Sequence, residues 1–188
     1  MHRLLRYIPL AAVLVLAACD DPFGPQPWNP NPVEITLYSA SRPAYIGLVS
    51  ALDLATDPVG TIAIEAPGAT GQWDVVLVDG PGGLSLAPAS SFEGLSSMAA
   101  IATLEGQAFI DVEEAPRESA AYSTEPVPLR TDVIYIIRSR RAPCGFTTGP
   151  RYAKVQPIEI DEEQGIFRFA ILRNPFCDDR ALVPPPAN

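Results

Sequence analysis

Val133-Ile134-Tyr135-Ile136-Ile137-Arg138, then Tyr152-Ala153-Lys154-Val155-Gln156 through Ile160, then Ile166-Phe167-Arg168-Phe169-Ala170-Ile171-Leu172 decide the fold class of this chain. β-Branched and aromatic residues fill all three runs, a composition suited to a pleated, partly buried surface. Gly, Pro, Asp and Glu cluster between them and cut the chain into strand-sized pieces. In the last run Phe167, Phe169 and Ile171 share one face, with Arg168 and Ala170 on the other. That period of two marks a half-buried strand. Cys144 follows the first run and Cys177 the third. In an up-down-up meander the ends of strands one and three lie together, so a Cys144–Cys177 bridge is expected.

The same alternation runs upstream. Val33-Glu34-Ile35-Thr36-Leu37-Tyr38 puts Val33, Ile35 and Leu37 on one face. Tyr45 to Leu54, Thr61 to Glu65 and Trp73 to Asp79 are further strand candidates, the last closed by Gly80-Pro81-Gly82-Gly83. Turn signals recur every roughly 10–15 residues, as in antiparallel sandwiches and barrels. No strand–helix alternation is present, which argues against a doubly wound parallel sheet. Between residues 91 and 105, Phe92, Leu95, Met98, Ala99, Ala102 and Leu104 approximate helical spacing, with Ser90 or Ser91 placed to cap. One short helix or an irregular segment is expected there. Gln107 to Val112 reads as strand again, and Glu113 to Leu129 as a long loop. The expected fold is all-β: an antiparallel β-sandwich or barrel-like meander with at most one short helix, one domain over residues 33–180.

The amino end reads as a targeting signal. Arg3 and Arg6 precede the apolar stretch Ile8 to Leu16, which is too short to span a bilayer. It ends in Leu16-Ala17-Ala18-Cys19, a sequence like the lipobox of bacterial lipoproteins. The expectation is a signal peptide over 1–18, a lipidated Cys19 and a proline-rich tether over 19–32. Residues 181–188 read as a tail. Acyl chains contribute about 0.8 kcal/mol of membrane affinity per buried CH₂, so two or three of them anchor firmly. The domain would then face the periplasm or the cell surface, with the membrane as its first partner. With Cys19 given to lipid, Cys144 and Cys177 form an even pair in an exported chain, the usual sign of a disulfide.

Charge and composition exclude several functions. The formal net charge is −9, and removal of Arg3 and Arg6 with the signal makes it −11. Such a surface does not attract nucleic acid and steers cationic partners instead. Residues 19–130 hold 15 acids against 3 arginines, whereas residues 131–188 hold 7 acids and 8 bases. The two blocks either face each other or mark separate surfaces. His2 is the only histidine and lies in the signal. Without it there is no Ser-His-Asp triad, no Cys-His pair and no histidine-containing zinc site. No catalytic or metal-binding residues are therefore assigned. The carboxylates of Asp74, Asp79, Glu113-Glu114 and Asp161-Glu162-Glu163 read as solvated turns and strand flanks. A carboxylate-dependent hydrolase would need two of them facing across a cleft.

Arg138, Arg140 and Lys154, with Arg141 and Arg151 nearby, are candidate anion or ligand contacts through charge-assisted hydrogen bonds. The competing reading makes Arg138, Arg140 and Lys154 partners for acids of the amino-terminal half. Trp73 and Tyr135 read as core.

Trp73-Asp74-Val75-Val76-Leu77, preceded by Ala51-Leu52-Asp53-Leu54, is similar to the Trp-Asp-apolar strand of HmuY-type haemophore lipoproteins. Tyr135-Ile136-Ile137-Arg138-Ser139 followed by Arg151-Tyr152-Ala153-Lys154-Val155 resembles that family's Tyr-x-x-Arg-(Ser/Thr) … Tyr-Ala-Lys-(Leu/Ile/Val) segment. The resemblance runs from about Tyr45 to Leu172 with an unassigned middle. It implies a lipid-anchored all-β domain, in a family whose haem-binding members hold iron with paired His or Met side chains. Here the chain after the signal has no histidine, and Met98 is its only methionine. No axial pair carries over, and no cofactor is assigned.

These readings converge on a lipid-anchored envelope domain, non-enzymatic, that binds a small hydrophobic ligand or an envelope partner. The alternatives are an interaction lipoprotein without a small-molecule site, and the carboxylate-dependent hydrolase.

Overall fold

The structure, a computed structural model, describes residues 28–185. The expected signal peptide, Cys19 and most of the tether lie outside the described residues. The strands are β1 (Val33–Tyr38), β2 (Ala51–Asp53), β3 (Gly60–Ile62), β4 (Val75–Gly80), β5 (Gly83–Pro88) and β6 (Ala100–Glu105). They continue with β7 (Val127–Pro128), β8 (Val133–Arg138), β9 (Ala142–Cys144), β10 (Thr147–Gly149), β11 (Tyr152–Asp161) and β12 (Ile166–Arg173). One five-stranded sheet has the order β1-β12-β11-β8-β6 and a second the order β3-β2-β4-β5-β7, with β9 and β10 forming a separate hairpin. Every pairing is antiparallel. This is an all-β sandwich, and β8, β11 and β12 are adjacent in it as the meander requires.

The two sheets close on one core. Leu37, Tyr135, Phe167 and Phe169 from the first sheet meet Leu52, Val75, Leu77 and Leu86 from the second. Burying each such side chain contributes about 1.5–3 kcal/mol. Tyr135 satisfies its buried hydroxyl locally: it accepts from the Arg130 amide at 2.6 Å and donates to Pro128 O at 3.0 Å. Part of each outer face is also covered. Ile134, Ile136 and Tyr152 lie beneath Val112, Ala115, Tyr122 and Leu182. On the second sheet Val76 and Ala87 share a cluster with Trp73, which packs edge-on against Phe92 at 5.3 Å between centroids. Double cover explains why Val133–Ile137 is an unbroken apolar run rather than an alternating one.

Several sequence expectations need correction. Residues 100–105 are strand β6, paired along its length with β8, and the preceding segment holds only a 3₁₀ turn at Ala89–Ser91. The apparent helical stripe joined residues that serve two different cores. Phe92 and Leu95 pack over the second sheet, whereas Leu104 packs over the first. Gln107 to Val112 is not a strand but a loop with a 3₁₀ turn at Phe109–Asp111. It lays Val112 onto the first sheet and leaves Ile110 exposed. Tyr45–Leu54 shrinks to Ala51–Asp53, since Tyr45 ends a 3₁₀ turn. Packing also continues beyond residue 180: Leu182 is fully buried, and its amide donates to Glu113 O at 2.7 Å. Pro157 is tolerated in β11 because β8 pairs only as far as Val155. There β11 is bonded on one side alone, and its register slips by a bulge before Glu159.

Candidate functional site

Four strand ends meet at one end of the sandwich. Arg138, the last residue of β8, pairs with Tyr152, the first of β11. Ala153 pairs with Arg173 at the close of β12, and Val33 at the start of β1 pairs with Ile171. From this end the β9–β10 hairpin projects between β8 and β11. Its loop is Gly145-Phe146, flanked by the pair Cys144 and Thr147. Gly145 has φ +61°, and a leading glycine with positive φ is what a type II′ two-residue turn requires. Cys144 and Cys177 stand at disulfide distance, with Cα atoms 6.1 Å apart, so the bridge expected from the meander pins the hairpin to the segment after β12.

Beside the bridge lies an open groove of about 380 Å³, lined by Gly145, Thr147, Arg151, Pro175, Phe176 and the two cysteines. Arg151 belongs to its wall. Its Nε donates to Pro175 O at 2.9 Å, a second guanidinium nitrogen donates to Ala55 O, and its amide donates to Ser139 Oγ at 2.8 Å. Phe146 is fully exposed at the hairpin tip and Phe176 is 37% exposed. The groove thus combines a fixed cation with aromatic surface, a mixture able to hold an apolar body with a polar or anionic edge.

The three predicted contact residues occupy different places. Arg140 turns inward between the sheets. Its guanidinium stands 2.9 Å from Asp53 Oδ1 and 3.2 Å from Asp74 Oδ2, the second contact lacking hydrogen-bond geometry. Asp74 is fully buried and also accepts from the amides of Leu54 and Arg140, each at 2.7 Å. Burial pushes the Asp74 carboxyl upward, against the pull of Arg140 and the two amides. Asp53 at the end of β2 and Asp74 just before β4 do converge, yet they are closed around a guanidinium rather than opened to a cleft.

Lys154 and Arg138 point to the outer face of the first sheet. Lys154 is 1% exposed, donates to Phe109 O and Val112 O at 2.8 Å each, and stands 4.6 Å from the Phe109 ring centroid. It fastens the covering loop. Arg138 Nε donates to Met98 O at 3.2 Å, and the guanidinium lies over the Tyr122 ring at 4.8 Å. None of the three lines the groove.

The charge blocks of the two halves do meet. Arg140 bridges Asp53 and Asp74, Arg168 reaches Glu34 at 3.2 Å and Arg173 reaches Asp57 at 2.7 Å. The acidic Asp161-Glu162-Glu163 run lies at the β11–β12 turn, and the carbonyls of Glu162 and Glu163 accept from Arg42. Phe146 and Phe176 escaped the sequence reading. Their signal was an aromatic residue in a Cys-Gly-Phe-Thr turn, where a polar residue is usual, and another directly before Cys177. No protein-family model and no curated protein sequence matches this chain.

Proposed function

We propose that this chain is a lipid-anchored, non-enzymatic domain of the bacterial cell envelope that binds a small hydrophobic ligand or an envelope partner at the cystine-pinned groove. The observation that carries this reading is the groove itself, where Phe176 and Arg151 flank the Cys144–Cys177 pair. The likeness to HmuY-type lipoproteins supports an anchored β-domain; the missing His and Met pair argues against axial haem ligation. The test is a titration of the purified protein with haem, metal-free porphyrin and a long-chain fatty acid, followed by amide NMR. The expected result is saturable shifts confined to Thr147, Arg151 and Phe176, and loss of those shifts in Phe176→Ser. Shifts clustered elsewhere, or none with all three ligands, would overturn the small-ligand version.

A second reading is favoured by the interior. Tyr135, Phe167 and Phe169 fill the space between the sheets, which leaves recognition to the surface. On this reading the groove takes a protein side chain. A pull-down from detergent-solubilised envelopes would recover a partner that Phe176→Ser fails to retain.

A further inference from the structure

We infer that the cystine end is the face this domain turns toward the bilayer that anchors it, with Phe146 seated among the lipid headgroups. The inference rests on the anchored reading above and names a lipid surface as the partner of that same end.

The first support is where the tether joins. Trp28 lines a hollow with Asp57, Arg173 and Pro175, at the same end as the Cys144–Cys177 pair. Eight residues, and so nine Cα–Cα steps, separate Cys19 from Trp28. At about 3.3–3.6 Å per step they span at most about 32 Å. The ten residues of β11, nine steps of strand rise, by themselves run about 30 Å from the cystine end to the opposite one. The opposite end thus reaches the bilayer only with the tether at full stretch, whereas the cystine end reaches it with slack.

The second support is the surface. Phe146 is fully exposed on a two-residue turn, and Met98 and Phe176 are exposed at the same end. The disulfide-distance pair holds the hairpin in place, so seating it costs little further ordering. An aromatic tip of this kind suits the boundary between headgroups and acyl chains.

The third is charge. At the opposite end Glu105, Asp132, Asp161, Glu162 and Glu163 gather around the turns, with Arg130 bonded to the first two. At the cystine end arginines meet aspartates in near balance, Arg140 with Asp53 and Asp74, and Arg173 with Asp57. An anionic leaflet repels the first end and tolerates the second.

The experiment uses the full chain with its native amino terminus, reconstituted into phosphatidylethanolamine–phosphatidylglycerol vesicles whose acyl chains are brominated. Phe146→Trp is compared with Ile46→Trp, and each with the unsubstituted protein to subtract Trp28 and Trp73. Both positions are exposed, Ile46 at the opposite end. The expected result is loss of emission from the indole at position 146 and none from the indole at position 46. Retained emission at 146, or equal loss at both positions, overturns the proposed orientation while leaving the anchor standing. Mass spectrometry of the same samples reports acylation of Cys19. An unmodified Cys19 would overturn the anchored reading and the orientation with it.

Discussion

Arg140 and Asp74 are joined twice. The Arg140 amide donates to Asp74 Oδ1 at 2.7 Å, and a guanidinium nitrogen stands 3.2 Å from Asp74 Oδ2. The same guanidinium holds Asp53 at 2.9 Å, so one side chain from the carboxyl-terminal half neutralises two buried carboxylates of the amino-terminal half. A buried charge stripped of its partner is far more costly than the pair is beneficial.

Arg140→Ala should therefore destabilise the domain by about 3–5 kcal/mol in urea unfolding, because both carboxylates lose their counter-charge. Arg140→Lys should fall between, since an ammonium keeps the charge but places it on one nitrogen, where the guanidinium offers two to the two carboxylates. A loss below about 1 kcal/mol in the alanine variant would place Arg140 among ordinary surface pairs.

Replacing Cys144 and Cys177 together with serine removes a link across 33 residues. The expected loss is about 3–4 kcal/mol by the loop-closure relation. Amide exchange in β9 and β10 should accelerate, because that hairpin pairs only with itself. Unchanged stability in the double variant would show that the two thiols are not bonded.

Lys154 makes a pH prediction. Burial holds its ammonium below the ordinary 10.5, with Glu113 pulling partly the other way. The unfolded chain then keeps the proton more firmly than the folded one, so stability rises as pH climbs toward 10.5. Burial moves Tyr122 and Tyr135 upward, which reverses the trend once free tyrosine ionises near pH 10. Urea midpoints measured between about pH 8 and 10 should show this rise, and Lys154→Met should abolish it. Identical slopes in both proteins would refute the assignment.

Leu182 is fully buried against the outer face of the first sheet. Leu182→Ala should cost about 2–5 kcal/mol, as for other core leucines. If thermal unfolding of that variant matched the parent, the carboxyl-terminal segment would be an ornament rather than part of the cover.

Where structure follows from near neighbours, the sequence was readable. The alternation of Val33 to Tyr38 and the apolar run Val133 to Arg138 mark β1 and β8 to the residue. The meander also put Cys144 and Cys177 within reach of each other. Other features depended on partners that no local pattern encodes. Ala100 and Ala102 are strand residues because β8 lies beside them, and alanine carries no β signal of its own. Arg140 finds Asp74 across 66 positions of sequence. The exposure of Phe146 follows from how far its hairpin stands off the sandwich, which is a property of the assembled fold.

The placement of β1 has a consequence for how the domain is made. It lies at the rim of its sheet and pairs with β12 alone. A chain that emerges amino end first delivers its opening strand long before the closing one exists. Until residues 166–171 have arrived, that early ribbon lacks its strand partner and offers bare amides and carbonyls to any passing edge. Fragments truncated before β12 should therefore clump more readily than the finished molecule.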